Sequence, residues 1–521
     1  MPANNRSERT LFILSALLLP AGLLLNLGTQ PLYLEEPRRA LIAMEMWERS
    51  NWWVPTELGD FYYNKPPFFN WILMLSAALL GGFHEWAMRL PTVLSTLGMV
   101  ALLYFMGRRY VDAAFGRISA LLFLSCGSVL LFFSHLGEID LFYAFISFGG
   151  FAALFHFYQI RKDGLLFLVF YALHAVGFLT KGLPSLLFIG LSLSAWFAWQ
   201  RDFRRFFSWA HLAGIGLFAA LIGGYLYQYS RFHSLALLLP QWVGQAGERT
   251  VAEQGWQKLA FHLVHYPLDT LKDLLPFSLL ILFLLRRDWL PLLQRNAWVG
   301  FSALIFAANF PVYWLSPGAK QRYLYMLFPL IIVALVWAWR HAQELKPWRS
   351  KAFRVLVGVF VGALALGSPA IGFADDLAFL SYRHWLGFGS AAVFGMLFWT
   401  WLRRKLPDLY ALVLAMAILR IVFDLSVLPQ RAQHSGAQYD RQTAVDIARI
   451  TAGKPLYIYG DERISFTTVY YLNRLRGQVL VRNAEAKKGV FYIAPDDHSA
   501  PLRTVYYRFE YDKAPYVLFQ L

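Results

Sequence analysis

Five short stretches carry the residues whose types and spacing suit them to chemistry. Tyr33-Leu34-Glu35-Glu36-Pro37-Arg38-Arg39-Ala40 sets two carboxylates just ahead of two guanidinium groups. Tyr62-Tyr63-Asn64-Lys65-Pro66-Pro67 holds one ammonium in a stiff Pro-Pro turn flanked by aromatic rings. Glu138 and Asp140 sit two residues apart, and Thr180-Lys181-Gly182 and Lys320-Gln321-Arg322-Tyr323 each place cations beside an apolar run. Carboxylates orient or deprotonate an acceptor hydroxyl. Cations hold a phosphate and stabilise the charge that develops as it departs. Taken singly, each stretch has an ordinary explanation. A Glu-Glu-Pro opens a helix, a lysine at a bilayer edge snorkels, and loop acids are solvated. Their weight lies in sharing one side of a membrane.

The elements that must position them are membrane helices. The chain has 521 residues, 58% of them hydrophobic and 15% charged, where a soluble protein carries about 25% charged. Apolar stretches recur near 11–28, 67–82, 90–107, 114–133, 139–160, 164–180, 183–200, 206–228, 273–285, 297–315, 321–339, 352–372, 384–402 and 408–428. Between them lie basic clusters such as Arg108/Arg109/Arg117, Arg201/Arg204/Arg205 and Arg403/Arg404/Lys405. All of these clusters fall on the cytoplasmic side, where insertion favours them, if one early stretch does not cross. The stretch 67–82 is that one, because it opens on Pro66-Pro67, carries Asn70 and ends at Gly81-Gly82. About thirteen transmembrane helices are therefore expected, with Leu11–Leu27 retained as the first. Segment 29–89, the Gly137–Asp140 turn, the loop 229–272 and the turn 316–322 then share the outer face.

The net charge of +16 is thereby assigned to cytoplasmic loops rather than to nucleic acid. Cys126 is the one cysteine, which excludes an internal disulfide and a cysteine-based metal site. Residues 1–428 read as the transmembrane domain. Residues 429–521 turn polar and read as a small soluble α/β domain on the outer side. It has an amphipathic stretch Thr443–Ile450 and strands at Leu456–Tyr459, Gln478–Val481, Val490–Ala494, Val505–Tyr511 and Tyr516–Leu521. Around Pro37, Ala40, Ala43, Met44 and Trp47 form an apolar face, as in a helix lying at the interface.

Glu35-Glu36-Pro37-Arg38-Arg39-Ala40, Asn51-Trp52-Trp53-Val54-Pro55, Tyr63-Asn64-Lys65-Pro66-Pro67, Arg89-Leu90-Pro91 and Thr180-Lys181-Gly182 follow one another in a telling order. Over about residues 10–345 this order resembles the bacterial aminoarabinose transferases that modify lipid A, and the related protein O-mannosyltransferases. The resemblance implies a C-type glycosyltransferase fold with interfacial helices in the first outer loop. It also implies a polyprenyl-phosphate sugar donor and no nucleotide-sugar site. In such a site Lys65 matches the lysine associated with the carrier phosphate, and Asp140 the acid after the third span. Glu36 matches its counterpart, while Glu35 stands where the family usually has Asp. Asn64 replaces a glutamate linked to a metal in aminoarabinose transferases. A neutral amide is a poorer zinc ligand, so no metal is expected to be required; His262 and His265 in the long outer loop are read as packing or hydrogen-bonding residues, with a divalent metal beside them as the alternative.

The expected reaction is displacement at the anomeric carbon, with inversion. Glu35, Glu36 and Asp140 are the catalytic candidates. Lys65, Arg38 and Arg249 are the donor-phosphate candidates, and Tyr62, Tyr63, Glu138, Lys181, Lys320, Arg322 and Tyr323 the further substrate contacts. Partners are a polyprenyl-phosphate sugar and a glycolipid or protein acceptor, with the chain expected to be a monomer. The place is a bacterial inner membrane, N-terminus cytoplasmic and C-terminal domain periplasmic. The rival class is a transporter or flippase, which keeps coupling residues near the midplane and shows repeats. Here the charged motifs gather at one interface and no internal repeat is visible.

Overall fold

The computed structural model describes residues 5–247, 251–483, 485, 487–496 and 504–520. The chain is a polytopic α-helical membrane protein with a small mixed sheet at its C-terminal end. Among the described residues, eight helices are long and apolar enough to cross a bilayer, and a bent pair, Ala113–Leu124 with Gly127–His135 at 51°, raises the number to nine. The thirteen crossings expected from composition are not confirmed. Stretch 273–285 holds a seven-residue 3-10 helix, Phe277–Phe283, behind Pro276. Stretch 321–339 keeps a helix of only 13 residues, Phe328–Arg340. At 1.5 Å per residue that is about 20 Å, short of a hydrocarbon core of about 30 Å. Apolar composition marks burial or lipid contact; it does not guarantee one unbroken helix.

The chain opens with α1 (Asn5–Leu24), α2 (Glu36–Glu48), a hairpin of β1 (Thr56–Glu57) and β2 (Asp60–Phe61), and α3 (Phe68–Leu80). Long helices follow: α4 (Glu85–Tyr110), α5 (Ala113–Leu124), the short α6 (Gly127–Leu131), α7 (Ile139–Gln159) and α8 (Asp163–Lys181). α3 has 13 residues and stops at Gly81, whose φ of +82° is the left-handed cap that glycine adopts without strain. It is too short to span, as the run 67–82 was expected to be. The basic loops meet one another at the opposite ends of the helices. Arg340 pairs with Asp112 at 2.6 Å, and Arg286 and Arg295 share Glu344 at 3.0 and 2.7 Å.

After the helix Asp408–His434, which runs on past Pro429, come the helix Gly436–Ile450 and a five-stranded sheet. The strands are β3 (Leu456–Tyr459), β4 (Arg482–Asn483), β5 (Phe491–Pro495), β6 (Thr504–Tyr511) and β7 (Ala514–Gln520), in the order β4-β3-β5-β7-β6. β3 is parallel to β4 and β5, and β7 is antiparallel to β5 and β6. The strand expected at Gln478–Val481 forms later, at β4, and a helix, Phe466–Arg476, fills the gap between β3 and β4.

This helix changes the setting of α2. Far from presenting one face to lipid, α2 is buried along Ala40, Leu41, Ile42, Ala43 and Met46, between α3 and Phe466–Arg476. One apolar cluster joins Leu41 of α2 and Phe69 of α3 to Ile458, Tyr470 and Leu518 of the sheet domain. Tyr471 Oη donates to Glu85 at 2.7 Å, and Arg482 N–H donates to the Leu58 carbonyl at 3.1 Å. The C-terminal domain is thus seated on the segment between α1 and α4, and the two lie on the same side.

Candidate functional site

α2 is where sequence becomes site geometry. Glu35 is its N-cap and Pro37 lies in its first turn, so Glu35, Arg38 and Arg39 emerge together at the helix start. Glu45 holds the other wall in shape. It is buried, and its carboxylate accepts from Thr56 Oγ1 at 2.7 Å and from the Leu58 and Gly59 N–H groups at 2.6 and 3.2 Å. This carboxylate fixes the β1–β2 turn, and burial pushes its pKa upward.

The adjacent glutamates part company. Glu36 is 1% exposed and meets the buried Arg89 as a fork, Nε to Oε1 at 2.8 Å and Nη2 to Oε2 at 2.9 Å. Its oxygens also accept from Gly137 N–H at 2.6 Å and Tyr33 N–H at 3.2 Å. Arg89 spends its remaining donors on the carbonyls of Leu27, Gln30 and Pro31. Gly137 fits because a Cβ there would lie 2.6 Å from the Met88 carbonyl oxygen. Glu36 was expected to be catalytic. The structure instead spends both its oxygens inside this knot, which ties α2, α4 and the turn before α7 together.

Above the knot lies a cavity of about 320 Å³. Its lining includes Glu35, Glu138 and Asp140 as acids, and Arg38, Arg39, Lys65, Lys181, Lys320 and Arg322 as cations. Tyr62, Asn64, Gln245 and Tyr323 complete much of the wall. Residues far apart in the chain are held here by ion pairs. Lys181 Nζ is 2.5 Å from Asp140 Oδ1 and 4.4 Å from the Tyr323 ring centroid. Arg322 pairs with Glu138 and lies 3.3 Å from Asp140 Oδ2. The Glu35 side chain is 37% exposed and 3.6 Å from Arg39, which also donates to Tyr62 Oη at 2.9 Å. The Glu138 carboxyl is pushed up to about 8 by burial first and by the neighbouring Asp140 charge second, with Arg322 offsetting only part.

Most of the expected site residues line this one cavity. Tyr63 does not: its hydroxyl is hydrogen-bonded to His233 Nε2 at 2.8 Å and its ring stacks on the same imidazole, so it supports the Lys65 turn from behind. Arg249 lies outside the described residues. His262 bonds to the Tyr313 carbonyl at 3.1 Å and His265 stacks on Phe261, while the Asn64 side-chain oxygen accepts from Gln245 at 2.5 Å. Among the described residues, no group of three or more His, Cys, Asp or Glu could hold a metal ion.

The site also uses residues that sequence reasoning did not single out. Arg39 was readable in its motif but given no role. Glu57 steers Arg38 with a bond of 2.7 Å. Phe466, from the C-terminal domain, faces Arg38 from 5.2 Å while Tyr62 holds it from another 5.2 Å. The local sequence around Phe466 carries no sign of this, because the contact joins chain segments more than four hundred residues apart.

A family model described as dolichyl-phosphate-mannose-protein mannosyltransferase matches residues 64–226. The undecaprenyl phosphate-alpha-4-amino-4-deoxy-L-arabinose arabinosyl transferase of Pseudomonas savastanoi pv. phaseolicola is 27% identical over 67% of this chain and 66% of its own. The transferase of the same description from Aeromonas salmonicida is 27% identical over 67% of this chain and 63% of its own. The resemblance read from the motifs holds. The matched region spans just under two thirds of the length of these transferases. The crystal structure of ArnT from Cupriavidus metallidurans bound to undecaprenyl phosphate superposes with a TM-score of 0.72 at 17% identity, covering 98% of both chains. The fold of this chain, membrane helices and C-terminal sheet domain included, is the fold of that protein.

Proposed function

We propose that this chain is a membrane glycosyltransferase that moves a sugar from a polyprenyl-phosphate carrier to an acceptor on the outer face. An amino-pentose as the sugar and lipid A as the acceptor form the leading reading. The observation that carries it is the charge of the cavity, whose lining has six cations against three carboxylates. A surplus of fixed positive charge beside a bilayer suits an anionic, lipid-linked group and no neutral substrate needs it. The similarity to named arabinosyl transferases, and the shared fold with a protein crystallised with undecaprenyl phosphate, agree with that chemistry.

In the reaction, an acceptor oxygen attacks the anomeric carbon as the bond from that carbon to the phosphate oxygen breaks. The electron pair leaves with the polyprenyl phosphate, whose charge Lys65, Arg38 and Lys320 stabilise. Asp140, held by Lys181 and Arg322, and Glu35 at the mouth are placed to orient the acceptor; a hydroxyl acceptor passes its proton to one of them. A phosphate acceptor is already anionic and needs no base. Glu36 takes no part in bond making and keeps the floor of the cavity rigid. We read the reaction as independent of a metal, since the residue before Lys65 is an amide already bonded to Gln245.

Purified protein in liposomes, given a polyprenyl-phosphate-linked aminoarabinose with lipid A or with a Ser/Thr peptide, tests this reading. Sugar on lipid A, unaffected by EDTA, is the expected product. Sugar on the peptide would move the chain toward protein glycosylation, and donor left intact with both acceptors would overturn the proposal.

A further inference from the structure

A second pocket opens at the far end of α2. It encloses about 220 Å³ between Trp47 and Glu48 of α2, Phe83 of the α3–α4 turn, and Asn473, Arg474 and Gln478 of the C-terminal domain. Trp47 is 44% exposed and stands against Trp52 and Phe83, with ring centroids 6.2 and 6.1 Å away. Arg474 is aimed by an ion pair with Glu85 at 2.9 Å. Asn473 is only 2% exposed; its Oδ1 accepts from Leu480 N–H at 2.8 Å, and its Nδ2 has no hydrogen-bond partner among the described residues. A buried amide donor left unmade is costly, and Asn473 belongs to the lining of this pocket.

An indole face beside an amide, a guanidinium and a carboxylate is the chemistry that recognises a sugar ring. The aromatic face takes the C–H side of the pyranose and the polar groups take its hydroxyls. Two further features narrow the ligand. Arg38 and Trp47 are nine residues apart on one helix, which at 1.5 Å per residue sets this pocket about 14 Å from the catalytic cavity. A short oligosaccharide bridges such a gap. Leu75 and Leu79 of α3, the helix that leads into the Phe83 turn, point outward at 56% and 76% exposure. An outward apolar row on a helix of a membrane protein is a surface for lipid chains.

We propose that this pocket binds the saccharide head of a membrane-anchored glycolipid acceptor, whose acyl chains lie in the bilayer against α3. The acceptor role rests on the transferase reading above; the binding site itself does not. The test uses full-length protein in nanodiscs and measures the affinity for lipid A, for its deacylated disaccharide and for a Ser/Thr peptide. Trp47→Leu and Gln478→Ala are each expected to weaken lipid A binding about tenfold, the loss of one aromatic or polar anchor. Trp47→Phe is expected to restore most of the affinity, which separates lost stacking from misfolding, and the disaccharide is expected to compete. Equal lipid A affinity in wild type and both variants overturns the proposal. So does a loss confined to the peptide. Because binding is read without turnover, failure of the transferase reading shows separately, as absence of sugar transfer by the wild-type protein.

Discussion

Glu35 and Glu36 are neighbours in the chain and sit in opposite kinds of environment. Below, in the Glu36–Arg89 knot, charges match one to one and each carboxylate oxygen has two donors. Above, around Glu35, each acid has a cation beside it, and the cations still outnumber the acids six to three around a cavity. The lesson is that a buried, fully satisfied pair specifies shape, whereas an unbalanced cluster around a void specifies a ligand. Removing one partner of a buried pair leaves an uncompensated charge, while removing a cation from the cavity relieves repulsion and costs the ligand. The two regions should therefore fail in different ways.

The largest effect is expected in the knot. Arg89→Ala or Glu36→Ala should lower unfolding free energy by about 3–5 kcal/mol, seen as a fall in Tm of the purified protein in detergent. An unchanged Tm would erase the distinction between the regions. A middle-sized effect concerns pH. Glu138 is pushed up to about 8, so its charge, and with it the ion pair to Arg322, is completed only as pH rises through that value. That new charge faces an anionic donor, and donor affinity should drop several-fold from about pH 7 to about pH 9. Glu138→Gln, neutral throughout, should flatten the profile; an equally steep profile in the variant would assign the titration elsewhere.

The smallest effect concerns the contact from the C-terminal domain. Phe466→Leu removes one of the two rings that hold Arg38. A cation–π contact is worth about 0.5–2 kcal/mol, so KM for the donor should rise about fivefold with kcat little changed. Phe466→Tyr should rescue it. A fall in kcat with KM constant would place Arg38 in the chemical step rather than in donor capture.

Much of this was legible in the chain. Pro66-Pro67 and Gly81-Gly82 bracket a helix too short to cross, and local sequence alone is enough to say so. The cations and acids at 35–38, 65, 138–140, 181 and 320–323 converge because each ends a helix or turn on the same side. Three things were hidden. The burial of Glu36 depends on Arg89 arriving 53 residues later. The cover over α2 comes from the helix Phe466–Arg476, so what reads as a lipid-facing helix is a core helix. The count of crossings is not confirmed, because proline and 3-10 turns break apolar stretches that composition alone cannot tell from unbroken spans.

The central claim is that the cavity cations hold a lipid-linked phosphate, and Lys65→Ala tests it most directly. Turnover of a polyprenyl-phosphate-linked sugar by the reconstituted variant should fall at least about 100-fold, as when a charge-stabilising donor is removed from an active site, while Tm stays at the wild-type value. Near wild-type turnover by a well-folded Lys65→Ala protein would contradict the account.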